Sequence, residues 1–112
     1  MFKIQKATSF QWPVQVNVPR DGGGFATHEF TAEFKMMEQS KIDLALEKFK
    51  NDDGDMLKEI VIGWNGVQDS DGNVLPYSDE NRDTLLEIPY VRTALMKGFF
   101  EAVSGNKVKK GN

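Results

Sequence analysis

Apolar and polar positions alternate along the first third of the chain, and past residue 38 the apolar spacing lengthens to three and four. In "WPVQVNVP" Val14, Val16 and Val18 alternate with Gln15 and Asn17, the period-two pattern of a half-buried strand. Pro19 ends that strand, and "RDGGG" supplies residues tolerant of positive φ for a turn. The return strand places Phe30, Ala32, Phe34 and Met36 on one face and Thr31, Glu33 and Lys35 on the other. Two strands alone are marginal in water, so this hairpin needs a helix or another subunit over its apolar face.

Four helices are expected to follow. Ser40 is placed to cap the first, with Asp43 in the reciprocal position of a capping box; Ile42, Ala45, Leu46 and Phe49 form its apolar side. The acidic "NDDGD" interrupts it. A second helix from about Asp55 carries Met56, Leu57, Ile60 and Val61, and Gly63 is expected to end it with Trp64 packing at the exit. Ser78 caps the third helix, where Asp79 and Glu80 suit the N-terminal dipole and Leu85, Leu86 and Ile88 are apolar. Pro89 opens the fourth; Val91, Ala94, Leu95, Phe99, Ala102 and Val103 form its stripe, and Gly105 closes it. The expected fold is α+β, an N-terminal β-hairpin followed by a small bundle of about four helices. A single domain spans 1–112, divided into a hairpin region 1–37, a helical region 38–105 and a basic tail 106–112.

Composition narrows the function classes. The 112 residues allow one domain with a modest core, and 39% hydrophobic with 28% charged residues places it among folded soluble proteins. A net charge of −3 disfavours a nucleic-acid partner. The absence of cysteine excludes disulfides and thiol catalysis and points to a reducing compartment. "MFKIQKATSF" lacks the apolar core of a signal peptide, and no run approaches the roughly 18 apolar residues of a membrane helix. A cytoplasmic protein is the expectation.

Candidate chemistry is sparse. "DSDGNVLPYSDE" begins like a helix–loop–helix calcium loop, with Asp69, Asp71, Asn73 and Glu80 at positions one, three, five and twelve. The sixth position, where the backbone must turn with positive φ, is Val74 rather than glycine, and Pro76 stiffens what should curl around the ion. The stretch reads better as a turn followed by a helix cap. His28, the single histidine, is expected to face solvent from its strand, without a nucleophile or orienting carboxylate in view. Asp52, Asp53 and Asp55 read as solvated caps and turns, and "RDGGGF" lacks the lysine and serine of a phosphate loop. Lys107, Lys109 and Lys110 leave only a weak electrostatic footprint. No catalytic, cofactor-binding or metal residue is assigned. Trp12, the Met36–Met37 pair and the Phe99–Phe100 pair are more suggestive, because adjacent residues cannot all enter one core face, and exposed methionine and aromatic groups favour interfaces.

The second half has a recurrent order. Gly63, Trp64, Gly66 and Val67 follow a helix; then come an Asp71-Gly72 turn and the segment Pro76, Tyr77, Ser78, Glu80, Asn81; then Leu85, Leu86, Pro89 and Val91. With "PVQVNVPRDGGG" and the Phe-Thr-Ala-x-Phe strand at residues 30–34, this order resembles the tail assembly chaperones of long-tailed, siphophage-type bacteriophages. The resemblance implies a protein without enzymatic activity that binds the tape measure protein, keeps it soluble and helps recruit major tail tube subunits. It implies action in the host cytoplasm and absence from the mature virion. Self-association is a further expected contact; membrane and nucleic acid are not expected partners. Such chaperones are often also made in a longer, frameshifted form, and Lys109-Lys110-Gly111 is compatible with an A-rich slippery run. The family pattern transfers no binding residues, so apolar geometry nominates Phe34, Met36, Leu95, Phe99 and Phe100 as the protein-binding surface. The rival readings are a structural tail-completion or head–tail connector protein of the virion and, less favoured, a small calcium regulator.

The acidic loop gives the first check: isothermal titration with calcium is expected to detect no binding in the micromolar range, and a micromolar isotherm would restore the calcium reading.

Overall fold

The computed structural model describes residues 1–4, 6–48 and 53–105. Seven elements follow one another: β1 (Ser9–Pro19), β2 (Phe25–Lys35), α1 (Gln39–Lys48), α2 (Asp53–Ile60), β3 (Val61–Asn65), α3 (Asp79–Leu86) and α4 (Pro89–Ser104). The fold is α+β, an N-terminal hairpin followed by helices, and the hairpin gains a third antiparallel strand in the order β1-β2-β3. Among the described residues, no helix is long and apolar enough to cross a membrane.

The hairpin forms as its alternation requires. β1 and β2 pair in unbroken register from Ser9↔Lys35 to Pro19↔Phe25, and Gly22, Gly23 and Gly24 at the tip all have positive φ. One face carries Val14 and Val16 with Phe30, Ala32 and Phe34, all buried. β1 is an edge strand that carries Pro13 and Pro19, neither of which has an N–H to offer a further strand.

The main departure from the sequence expectation lies at residues 61–65. The second helix ends at Ile60, and Val61 through Asn65 form a strand beside β2 rather than the helix end expected at Gly63. The cause of the misreading is a bulge. The register passes from Glu33↔Gly63 to Phe34↔Val61, leaving Ile62 unmatched, so Val61 and Trp64, three apart, both face the core. Leu57, Ile60, Val61 and Trp64 therefore keep a helical three-and-four spacing across a change of structure. Gly63 suits its place opposite Glu33: a β-carbon there would lie 3.1 Å from Glu33 Oε1 and 3.3 Å from Glu33 Cβ.

Smaller corrections follow. α1 begins at Gln39, and the Glu38 carbonyl accepts from the Lys41 and Ile42 amides, so Ser40 stands inside the first turn rather than capping it. Ile42 and Ala45 are buried, Leu46 is exposed, and Phe49 lies outside the described residues, as do Asp52 and Lys107, Lys109 and Lys110. β2 stops at Lys35, so Met36 leaves the strand and does not share the buried face of Phe30, Ala32 and Phe34. Ile88 precedes α4 instead of ending α3.

The other helix signals hold. Ser78 has extended backbone and its Oγ accepts from the Asn81 amide at 3.0 Å; Pro89 begins α4; Gly105 ends it with φ 73°. α4 lies across β1 and supplies the cover that the hairpin needs. Its Val91, Ala94, Leu95 and Phe99 are buried, and Phe99 meets Phe34 edge-on at 5.5 Å between ring centres. Met56, Leu57 and Ile60 of α2 and Leu86 of α3 complete the core.

Gly98 sets how closely α4 approaches β1. A β-carbon on it would sit 3.3 Å from Val14 Cγ2 and 3.7 Å from Trp12 Cδ1. Gly98→Leu is expected to lower unfolding stability by about 1–3 kcal/mol through overpacking, measured by urea denaturation; an unchanged midpoint would show that α4 does not seat on Val14.

Candidate functional site

The structure brings together two features: a polar clamp over the connector between β3 and α3, and an apolar groove at the opposite end of α4. No three or more histidine, cysteine, aspartate or glutamate side chains gather to hold a metal among the described residues. His28 is an exposed strand residue, as expected, and pairs with Val16 on β1. It stands at the mouth of a depression of about 650 Å³ floored by Val16, Phe30 and Val91 and rimmed by Glu29, Gln68 and Asp69.

The connector explains the acidic loop. Asp69 Oδ1 accepts from the amides of Asp71 at 2.9 Å and Asn73 at 3.0 Å, and the Asp69 amide donates to the Asn73 carbonyl at 2.8 Å. Gly72 takes φ +82°, and Val74 stands extended in a bridge opposite Gln68. The loop is thus a small closed hairpin held by its own first aspartate, an Asx turn. Val74 occupies an extended position where a calcium loop would need a turn.

The next residues tie this hairpin to the sheet. Trp64 Nε1 donates to the Leu75 carbonyl at 2.8 Å, and the Trp64 and Tyr77 rings meet edge-on at 5.0 Å. Tyr77 Oη donates to the Val61 carbonyl at 3.0 Å and accepts from Arg82 Nη1 at 3.2 Å. Arg82 also contacts Asp83 Oδ1 through Nε at 3.1 Å and Nη2 at 3.0 Å. Burial opposes the charge on Arg82, but the hydrogen bonds of Asp83 and Tyr77 outweigh it and hold the guanidinium above its ordinary range. Asn81 Nδ2 donates to the Pro76 carbonyl at 2.9 Å. The Gly-Trp-x-Gly, Pro-Tyr-Ser and Asn81 positions that carry the family resemblance are therefore the parts of one clamp.

The apolar groove lies where the start of β1, the exit of β2, α1 and the end of α4 converge. Phe10, Trp12, Met36, Met37, Gln39, Ile42, Ala102 and Val103 line a space of about 250 Å³. Such a volume is below the roughly 300 Å³ at which small-molecule sites begin, and suits a few apolar side chains. Met36, 47% exposed, is the most exposed hydrophobic side chain of its wall.

Of the five residues nominated from sequence, Phe34, Leu95 and Phe99 are buried at 0–1% exposure and make the core. Met36 is on the groove and Phe100 is half-buried, packed edge-on against Phe99 at 5.6 Å. Sequence geometry missed Phe10, Ile42 and Val103 as groove residues, whereas Trp12 and Met37, singled out there as suggestive of an interface, do line it. The signal for one of them existed: Phe10 has the parity of Trp12 and Val14.

Residues 28–105 match the model of a family described as YdaY prophage protein, from mid-β2 through α4 and across the whole clamp. No curated protein and no solved structure matches the chain.

Two substitutions test the clamp. Trp64→Phe removes the donor to the Leu75 carbonyl and is expected to cost about 1–3 kcal/mol; Ser78→Ala removes the cap of α3 and is expected to cost about 1 kcal/mol. Denaturant midpoints for both read the result, and wild-type stability in Trp64→Phe would show that the connector is held by packing alone.

Proposed function

The chain belongs to the YdaY prophage protein family, and on that footing we propose that it is a tail assembly chaperone that binds the tape measure protein. In this reading it acts without enzymatic chemistry, keeps a long helical client soluble, and helps bring major tail tube subunits to it. It works in the host cytoplasm and does not remain in the mature particle.

The observation that carries the proposal is the groove walled by Met36 and Met37 beside Phe10, Trp12 and Val103. An amphipathic helix presents apolar side chains at intervals of three and four to a shallow apolar groove. Methionine is the residue best able to repack around varied side chains, which suits successive turns of one long client. Contacts of this size are individually weak, and several copies on one tape measure chain gain by multivalency. The order of the clamp residues, shared in outline with tail assembly chaperones, supports the same role.

Co-expression with the tape measure protein of the same prophage tests the reading. The chain is expected to raise the soluble fraction of the client and to co-purify with it, while mass spectrometry of purified particles is expected to lack it. Met36→Glu is expected to reduce co-purification at least several-fold, with stability changed by no more than about 0.5 kcal/mol because the side chain is largely exposed. Phe100→Asp gives a second variant at the edge of α4. Undiminished co-purification of Met36→Glu would remove the groove as the client site, and an insoluble client in the presence of wild-type chain would sink the function.

A further inference from the structure

Some of the largest exposed apolar side chains lie outside the folded body. Phe2 is 89% exposed and Ile4 77%, in a segment that is neither strand nor helix. They stand two apart with Lys3 between them, so in an extended chain they share one side and the lysine takes the other.

The root of this arm is fixed. The Met36 amide donates to the Thr8 carbonyl at 2.9 Å, carrying the β1–β2 ladder one step beyond Ser9↔Lys35. The arm therefore leaves the body beside Met36, on the rim of the apolar groove. Neither Phe2 nor Ile4 lines the groove of its own chain, and both remain exposed. From Thr8 to Phe2 an extended chain reaches about 20 Å, enough to meet a neighbouring molecule.

Net charge does not oppose the pairing of two copies through their arms. The arm holds Lys3 and Lys6 and no acid, whereas the whole chain carries 17 acidic against 14 basic residues. A basic arm thus belongs to a chain whose net charge is −3. Pro13 and Pro19 meanwhile make the free edge of β1 a poor template for strand addition.

We infer that two copies of the chain exchange arms: Phe2 and Ile4 of each enter the groove of Phe10, Trp12, Met36, Met37 and Val103 on the other. The exchange is reciprocal, so one two-fold axis satisfies both grooves and closes the assembly at a dimer. Two short arms bury less than the 1,200–2,000 Å² of a standard stable interface, so the dimer is concentration-dependent. This inference goes beyond the chaperone reading and does not depend on it, because no client is needed; the arm and a client helix would compete for the one groove.

Sedimentation equilibrium of the purified chain over a wide concentration range provides the test. The mass is expected to rise from 12.7 kDa towards twice that value. A Phe2→Asp, Ile4→Asp double variant is expected to stay at the lower mass with an unchanged melting temperature, since neither side chain packs on its own body. The absence of native cysteine permits a second measurement. Ile4→Cys protein mixed with Met36→Cys protein, treated with a short bismaleimide, is expected to give a cross-linked pair. The inference fails if the wild type remains at one mass, if the double variant dimerises as well as wild type, or if cross-linking requires both cysteines on one chain.

Discussion

Everything in this molecule rests on the contact of one helix with one strand. The β1–β2 hairpin has an apolar face that cannot be left in water, and α4 lies directly over it. Gly98 permits the approach by presenting no β-carbon to Val14, and Phe99 fills the resulting space against Phe34. Hydrophobic burial supplies the driving force and the glycine sets the distance. Once α4 is seated, α2 and α3 have a surface to pack on, and β3 can extend the sheet along β2.

The clamp is a second-level consequence of that arrangement. β3 is short, five residues with a bulge, and its connector to α3 runs over an otherwise unprotected end of the sheet. Trp64 and Tyr77 each anchor a ring and a polar tip: the ring packs against the other, and the tip reaches a backbone carbonyl. This explains why a pattern of structural residues, with no chemistry in it, can mark a family. Each residue has a geometric duty that few other side chains can perform.

Much of this was legible in the sequence because it is local. Alternation revealed the hairpin, and Ser78, Pro89 and Gly105 marked the helix ends through their own backbone requirements. Two things were not legible, for physical reasons. The bulge at Ile62 gave a strand the apolar spacing of a helix, so periodicity alone could not separate α2 from β3. The groove joins residues from four elements distant in sequence, and only the position of α4 on β1 brings Val103 and Ala102 to Phe10 and Trp12. Phe34, Leu95 and Phe99 were drawn into the binding surface by their apolar character, which in a chain this short the core claims first.

The proline at the middle of β1 has a further meaning wherever many copies of this chain gather. Crowding raises the local concentration of every exposed sheet edge, and an eleven-residue outer strand would ordinarily invite sheets to join end over end into an insoluble fibre. Pro13 leaves a gap in that row of amides and Pro19 leaves another at its end. Copies of the chain can therefore come close together without their sheets joining edge to edge.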